Sequence, residues 1–208
     1  VIAGKHSFDP VFTSQQIFRC LLDAMARPGK INFLPATGLC PPGAWNSHVV
    51  AVAFTLLDRE VTFCVPGRNA EEKERYLAVN TGSRPVPLEE ADFIIVTGQE
   101  ETPRLSLAKR GTLEYPDGGA TVIVALEAIL STGETLSPGH RGLGLTLAGP
   151  GIPGERRLEL RGLHPSYLEY FKILNREYPL GVDWIMVAGD GRIACLPRTT
   201  MVRREEGF

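Results

Sequence analysis

Residues 178–200 read YPLGVDWIMVAGDGRIACLPRTT, and they decide how the rest of the chain is read. A turn at Pro179-Leu180-Gly181 leads into an apolar run from Val182 to about Ala188, and a second run ends at Leu196-Pro197-Arg198. Asp190-Gly191 between two apolar runs is a strong short-range hairpin signal. A loop of those two residues places Met186 opposite Cys195 and Asp183 opposite Arg198. The two charges then meet across the open end of a buried ribbon, where a pair has far larger consequences than on the surface. The alternative is a solvated salt bridge of small value. Gly181, Asp183 and Pro197 are the structural positions of this segment.

Working outward, Pro165 suits the first turn of a helix running to about Glu177, with Leu168, Phe171, Ile173 and Leu174 inward. Leu143–Ala148 and Arg156–Arg161 read as antiparallel strands joined by the Gly149–Glu155 loop. Ala91–Thr97 and Ala120–Leu126 lack alternation, as strands buried on both faces do. Residues 127–142 are turn-rich. Nearer the N-terminus, Thr13 with Gln16 is a capping-box signature. The helix it opens carries Ile17, Leu21, Ala24 and Met25 at helical spacing, with Phe18 and Leu22 widening the buried stripe. Ile31–Leu34 is a short extended run. Asn46 caps a second helix to about Leu57, Val61–Val65 is a strand, and Asn69 caps a third helix ended by Gly82. Arg84–Leu88 is an extended linker.

This order predicts the α/β class: a three-layer sandwich with a mixed central sheet and helices on both faces. Residues 1–208 form one domain, with 1–12 an arm anchored by Phe8 and Phe12. The first residue, Val1, is not methionine, so an N-terminal piece ahead of it is allowed for.

Net charge is −2, from 22 basic and 24 acidic residues, which argues against a nucleic-acid surface. Cys20, Cys40, Cys64 and Cys195 are far apart and form no CxxC, as expected of thiols in a reducing compartment. The absence of a long apolar stretch or a signal core makes a cytoplasmic protein, away from membranes, the default expectation.

Candidate chemistry is sparse. His6, His48, His140 and His164 form neither HxH nor HExxH, so no metal site is expected. No GxSxG elbow occurs. The Gly149-Pro150-Gly151-Ile152-Pro153-Gly154 loop could turn backbone N–H groups toward an anion, although it lacks a P-loop's terminal Lys-Ser/Thr; a structural turn is the competing reading. Arg198-Thr199-Thr200 sets a guanidinium and two hydroxyls beyond a strand end, a combination suited to phosphate or carboxylate. Arg19 joins that patch only if the first helix packs beside the hairpin. The candidate ligand-binding set is therefore Arg19, Arg198, Thr199, Thr200, Gly149 and Gly151, with no catalytic residue.

At this point the chain resembles the PhnH family of bacterial carbon-phosphorus lyase systems. The blocks that carry the resemblance are Phe18-Arg19 with Leu22, Ala24-Met25 and Pro28-Gly29; Gly119-Ala120-Thr121; Gly149-Pro150-Gly151-Ile152; Pro179-Leu180-Gly181-Val182-Asp183 with Ile185; and Pro197-Arg198-Thr199-Thr200. Trp184 stands where an aliphatic residue is expected. The resemblance implies a cytoplasmic homodimer in phosphonate catabolism that assembles with the G, I and J subunits. That complex supports displacement of adenine from ATP by an alkylphosphonate, giving a ribose 1-phosphonate 5-triphosphate. The implied fold is similar to the large domain of pyridoxal-phosphate-dependent transferases without the cofactor site, and no cofactor is expected. Lys109 is the lysine nearest mid-chain, beside Arg110, and is in no Schiff-base context. The implied role is a non-catalytic or accessory subunit, with Phe8, Phe12 and Ile152 as candidates for its interfaces. The alternative is a phosphate-, phosphonate- or nucleotide-binding protein, or a small transferase, using Arg198, Thr199 and Thr200.

Overall fold

The computed structural model describes residues 8–131, 134 and 142–205. A seven-stranded mixed sheet organises it. In chain order its strands are β1 (Asn32–Phe33), β2 (Thr62–Cys64), β3 (Arg84–Pro85), β4 (Phe93–Thr97), β5 (Thr121–Leu126), β9 (Asp183–Ala188) and β10 (Arg192–Leu196). Their spatial order is β1-β10-β9-β5-β4-β2-β3. Strands β3, β2, β4, β5 and β9 run parallel, while β10 and β1 are antiparallel to their neighbours. The two unalternating apolar runs sit at its centre as β4 and β5, buried on both faces as their composition requires.

A second, four-stranded antiparallel sheet has the order β11-β7-β8-β6, from β6 (Ala128–Ser131), β7 (Leu143–Ala148), β8 (Arg156–Arg161) and β11 (Met201–Arg204). The β7–β8 pair matches its sequence boundaries. The edge strands β6 and β11 were not expected: four residues such as Met-Val-Arg-Arg carry no alternation, and their pairing partners are remote in sequence.

Helices α1 (Phe12–Ala26), α2 (Ser47–Leu56) and α3 (Ala70–Thr81) share one apolar cluster with one face of the large sheet. The other face packs on the small sheet and on α4 (Ser166–Leu174). The expectation of helices on both faces is corrected in that respect: the second layer is mainly a sheet, with α4 beside it.

Asn46 caps α2, its side chain accepting from the His48 and Val49 N–H groups, and Gly82 closes α3 in the left-handed conformation. Asn69 does not cap α3; it takes φ 54° and its side chain makes no cap bond. Thr13 does not cap α1 either. Asp9 Oδ1 accepts from the Val11 and Phe12 N–H groups at 2.8 Å each, and Thr13 Oγ1 accepts from Asp9 N. On α1, Ile17, Leu21 and Ala24 are buried, but Phe18 and Leu22 remain 47% and 55% exposed. Each lies one residue, about 100°, around the helix from the stripe that meets the sheet. On α4, Ile173 likewise points outward while Tyr167, Leu168, Phe171 and Leu174 are buried. Phe8 anchors the start of the described chain edge-on against Phe54, whereas Phe12 is exposed.

The closing hairpin is shifted by one residue from expectation. Ala194 pairs with Met186 and Cys195 with Ile185, leaving a three-residue loop, Gly189-Asp190-Gly191. Gly191 takes φ 87° and its N–H donates to Ala188 O, as in hairpins whose third loop residue is left-handed. Because side chains alternate, the slip decides which residues share a face. Ile185 and Cys195 pack toward the helices, and Met186 and Ala194 toward the small sheet. Trp184 also faces the small-sheet side, edge-on to Tyr167 and Phe171 with centroids 5.8 and 5.4 Å apart, so the strand absorbs the aromatic.

Candidate functional site

The best-defined polar cluster lies where β9 begins and β10 ends. Arg198 is nearly buried, its side chain 14% exposed, and its backbone N–H donates to Asp183 Oδ1 at 2.8 Å. Nη2 reaches Asp183 Oδ2 at 2.7 Å, and Nε lies 3.3 Å from both carboxylate oxygens. Nη1 donates to Pro116 O at 2.6 Å and Pro179 O at 3.4 Å. The charge pair expected from the sequence therefore forms despite the register shift, since the side chains bridge the offset. Of five guanidinium hydrogens, one on Nη2 is left without an acceptor among the described residues. A guanidinium so committed and neutralised serves as a clamp tying β9, β10 and the residue 116 turn.

Glycines make room for this clamp. A Cβ on Gly119 would lie 3.1 Å from Arg198 Nη1, and one on Gly181 would lie 3.1 Å from Arg198 Cβ and collide with the Asn175 amide. Asn175, just past α4, accepts the Val182 N–H at Oδ1 (2.7 Å), which fixes its amide orientation and leaves Nδ2 as a buried donor without a partner among the described residues. Pro197 O accepts Thr200 N at 2.8 Å, turning the chain into β11.

Beyond the clamp a groove of about 720 Å³ runs between α4 and the start of β11. Pro150, Phe171, Tyr178, Met201 and Val202 supply apolar wall, with Asn175, Thr199 and Thr200 among the polar lining. Its charged lining residues, Lys172 and Arg198, are both cationic. Thr200 is 5% exposed, and its hydroxyl has no partner among the described residues.

The structure thus gathers Arg198, Thr199 and Thr200, and brings the glycine loop to them: a Cβ on Gly149 would sit 3.0 Å from Thr199 O. Gly151 instead presses on the C-terminal end of α1 at Ala26 and Pro28. Within the loop, Ile152 N donates to Gly149 O, closing a turn, and the Ile152 side chain is buried in the core instead of free for a partner. Helix α1 does pack beside β10, but on the helical face of the sheet; Arg19 is exposed there and does not line the groove. Asp23, four residues on, engages Arg27, Lys30 and Asn32. Asn175 and Tyr178 were not singled out from the sequence, where nothing separates them from other residues after a helix, and Phe171 was expected only as an inward residue of that helix.

The remaining candidates have local roles. His164 Nδ1 lies 2.8 Å from Ser166 Oγ and its N–H bonds Gly98 O, a turn function. His48 sits under the Gly191 turn. His6 and His140 lie outside the described residues. Among the described residues, no group of three His, Cys, Asp or Glu side chains could hold a metal. Lys109 is ion-paired to Asp92. Burial pushes the Cys64 thiol up to about 11 and raises Cys195 further, as befits core thiols. No helix among the described residues is long and apolar enough to cross a membrane.

A family model described as "Bacterial phosphonate metabolism protein (PhnH)" matches residues 6–203. This chain belongs to the PhnH family. The PhnH match spans both sheets, the Arg198 clamp and the lining of the groove. Among relatives, the chain is 31% identical over 199 residues to the alpha-D-ribose 1-methylphosphonate 5-triphosphate synthase subunit PhnH of Rhizobium meliloti (strain 1021), covering 95% of this chain and 94% of that protein. It is 34% identical over 192 residues to HtxG of Stutzerimonas stutzeri, provisionally named a C-P lyase subunit protein, covering 90% of this chain and 85% of that one.

Proposed function

We propose that this chain is an accessory, non-catalytic subunit of a carbon-phosphorus lyase complex. It supports formation of a ribose 1-phosphonate 5-triphosphate from ATP and an alkylphosphonate. The observation that carries this reading is the 31% identity, over nearly the full length of both chains, to a protein named as a subunit of the corresponding synthase. The geometry is in keeping with it: the chain's most elaborate polar cluster is closed on itself by Asp183 and two carbonyls. The proposal extends to a cytoplasmic homodimer that meets the G, I and J subunits. It also extends to a fold similar to the large domain of pyridoxal-phosphate-dependent transferases without the cofactor site, with which five adjacent parallel strands and connecting helices are compatible.

The test is reconstitution. Co-expression with the other subunits should give one co-eluting complex that forms the triphosphate product, followed by phosphorus NMR. Leaving this chain out should abolish product, and the chain alone should form none. Turnover by the isolated chain, or a fully active complex lacking it, would overturn the proposal.

A further inference from the structure

A second crevice, of about 270 Å³, opens at the carboxyl ends of β4 and β5, where the paired residues Thr97 and Ala125 are both half-buried. Trp45, Asn46, Lys73 and Glu127 also line it. Topology makes room for it. From β2 the chain passes into α3, which packs in the helical layer, whereas from β4 it turns through Pro103–Leu107 into the layer of the small sheet. Connections that leave adjacent parallel strands for opposite faces diverge at the carboxyl ends, and that is where open α/β sheets take up ligands.

Charge sets this crevice apart from the groove beside α4, where Lys172 and Arg198 are each matched by a carboxylate. Its charged lining residues are Lys73 and Glu127. The Lys73 ammonium lies over the Trp45 ring, 5.5 Å from the centroid, and has no carboxylate partner among the described residues. Glu127 accepts a hydrogen bond from the uncharged Gln99 amide and has no cationic partner among the described residues. Lys73 is half-buried and Glu127 exposed, so both charges are open to solvent. Asn46 commits its Oδ1 to the cap of α2, which leaves Nδ2 as a donor on the same lining.

We infer that this crevice binds a small zwitterion, a molecule with an oxyanion at one end and a primary ammonium at the other. The oxyanion takes charge-assisted hydrogen bonds from Lys73 and the Asn46 amide, and the ammonium donates to Glu127. Two opposite charges are held on separate elements, α3 and the residue after β5, without pairing to each other. They favour a ligand that carries the complementary pair, because a ligand of single charge would leave one of them facing its like. The volume lies near the lower bound of ligand pockets, which suits a molecule of this size and not a nucleoside triphosphate. The inference goes beyond the subunit role and does not rest on it, so its failure would leave that role standing.

The chain has two tryptophans, Trp45 in the crevice and the buried Trp184. Their indole N–H resonances in proton–nitrogen correlation spectra of the full chain, assigned with Trp45→Phe, therefore report on the site. Two zwitterions, aminoethylphosphonate and β-alanine, are titrated beside the singly charged ethylphosphonate, propionate and ethylamine. At least one zwitterion is expected to move the Trp45 resonance and leave that of Trp184 in place, with a Kd at least about tenfold below those of its singly charged analogues. The one that binds more tightly tells a phosphonate oxyanion from a carboxylate. Lys73→Met should abolish the advantage over ethylamine, and Glu127→Gln the advantage over the singly charged anion, each with an unchanged far-UV circular dichroism spectrum. A Trp45 resonance that none of the ligands moves, equal binding of the zwitterions and their singly charged analogues, or an advantage that survives both substitutions would overturn the inference.

Discussion

Two residues, Asp183 and Arg198, show how a side-chain contact can outlast an error in strand register. An arginine side chain spans several ångströms, so a one-residue slip moves its backbone without breaking its reach to the carboxylate. Asp183→Ala is expected to destabilise the fold by about 3 kcal/mol, since it strands a nearly buried guanidinium. In a double-mutant cycle with Arg198→Ala, urea unfolding should give a coupling of roughly 0.5–3 kcal/mol; additive effects would count against the clamp. Asp92 offers a pH-dependent counterpart. Burial alone would raise its carboxyl, but hydrogen bonds from Lys109 and from the Thr62 side chain and N–H outweigh it and hold the group below its usual range. A depressed native value means stabilisation that is present above the unfolded pKa, near 3.9, and is lost as pH falls through the native value. The urea midpoint of the wild type should therefore exceed that of Asp92→Asn at pH 7, and the gap should close as pH is lowered below about 4.

Element ends are set by atoms that local patterns name only in part. The helix α1 stripe was legible because Ile17, Leu21 and Ala24 recur at the helical period, yet its cap falls to Asp9, four residues before the threonine that fits the capping-box pattern. Asp9→Ala is expected to lower stability by about 1 kcal/mol and Thr13→Ala by less; the reverse order in thermal unfolding would restore Thr13 as the cap. The hairpin turn is a sharper case. Asp-Gly marks its place but does not say whether Gly189 belongs to the loop, and that one residue sets the faces of β9 and β10. Alanine at Gly191 must adopt φ 87° with its Cβ 3.0 Å from the His48 ring, while alanine at Gly189 meets none of the described residues within 4 Å. Gly191→Ala should therefore cost about 1–2 kcal/mol, measured by urea unfolding, against a change within about 0.5 kcal/mol for Gly189→Ala.

For the whole molecule, the large sheet couples the two layers. Ile94, Val96, Val122 and Val124 belong to the cluster beneath the small sheet, and Ile95 and Ile123, on the same two strands, to the cluster beneath the helices. Neither layer can lose its packing without exposing strands the other needs. Far-UV circular dichroism and tryptophan fluorescence should report one coincident unfolding transition, and two separated midpoints would show independent layers. The α/β class, the central buried strands and the β7–β8 pair were determined by the sequence, because apolar run length and turn residues act over a few residues; the Asp183–Arg198 contact was expected from a register one residue off and is secured by side-chain reach in the tertiary structure. The four-stranded sheet, the strand β11 that edges the groove, the burial of Ile152 and the placing of Arg19 on the far side of the sheet were decided only in the tertiary structure. Each depends on which remote segments share a surface, and a pairing between residues such as Met201 and Ala148 has no local period to announce it.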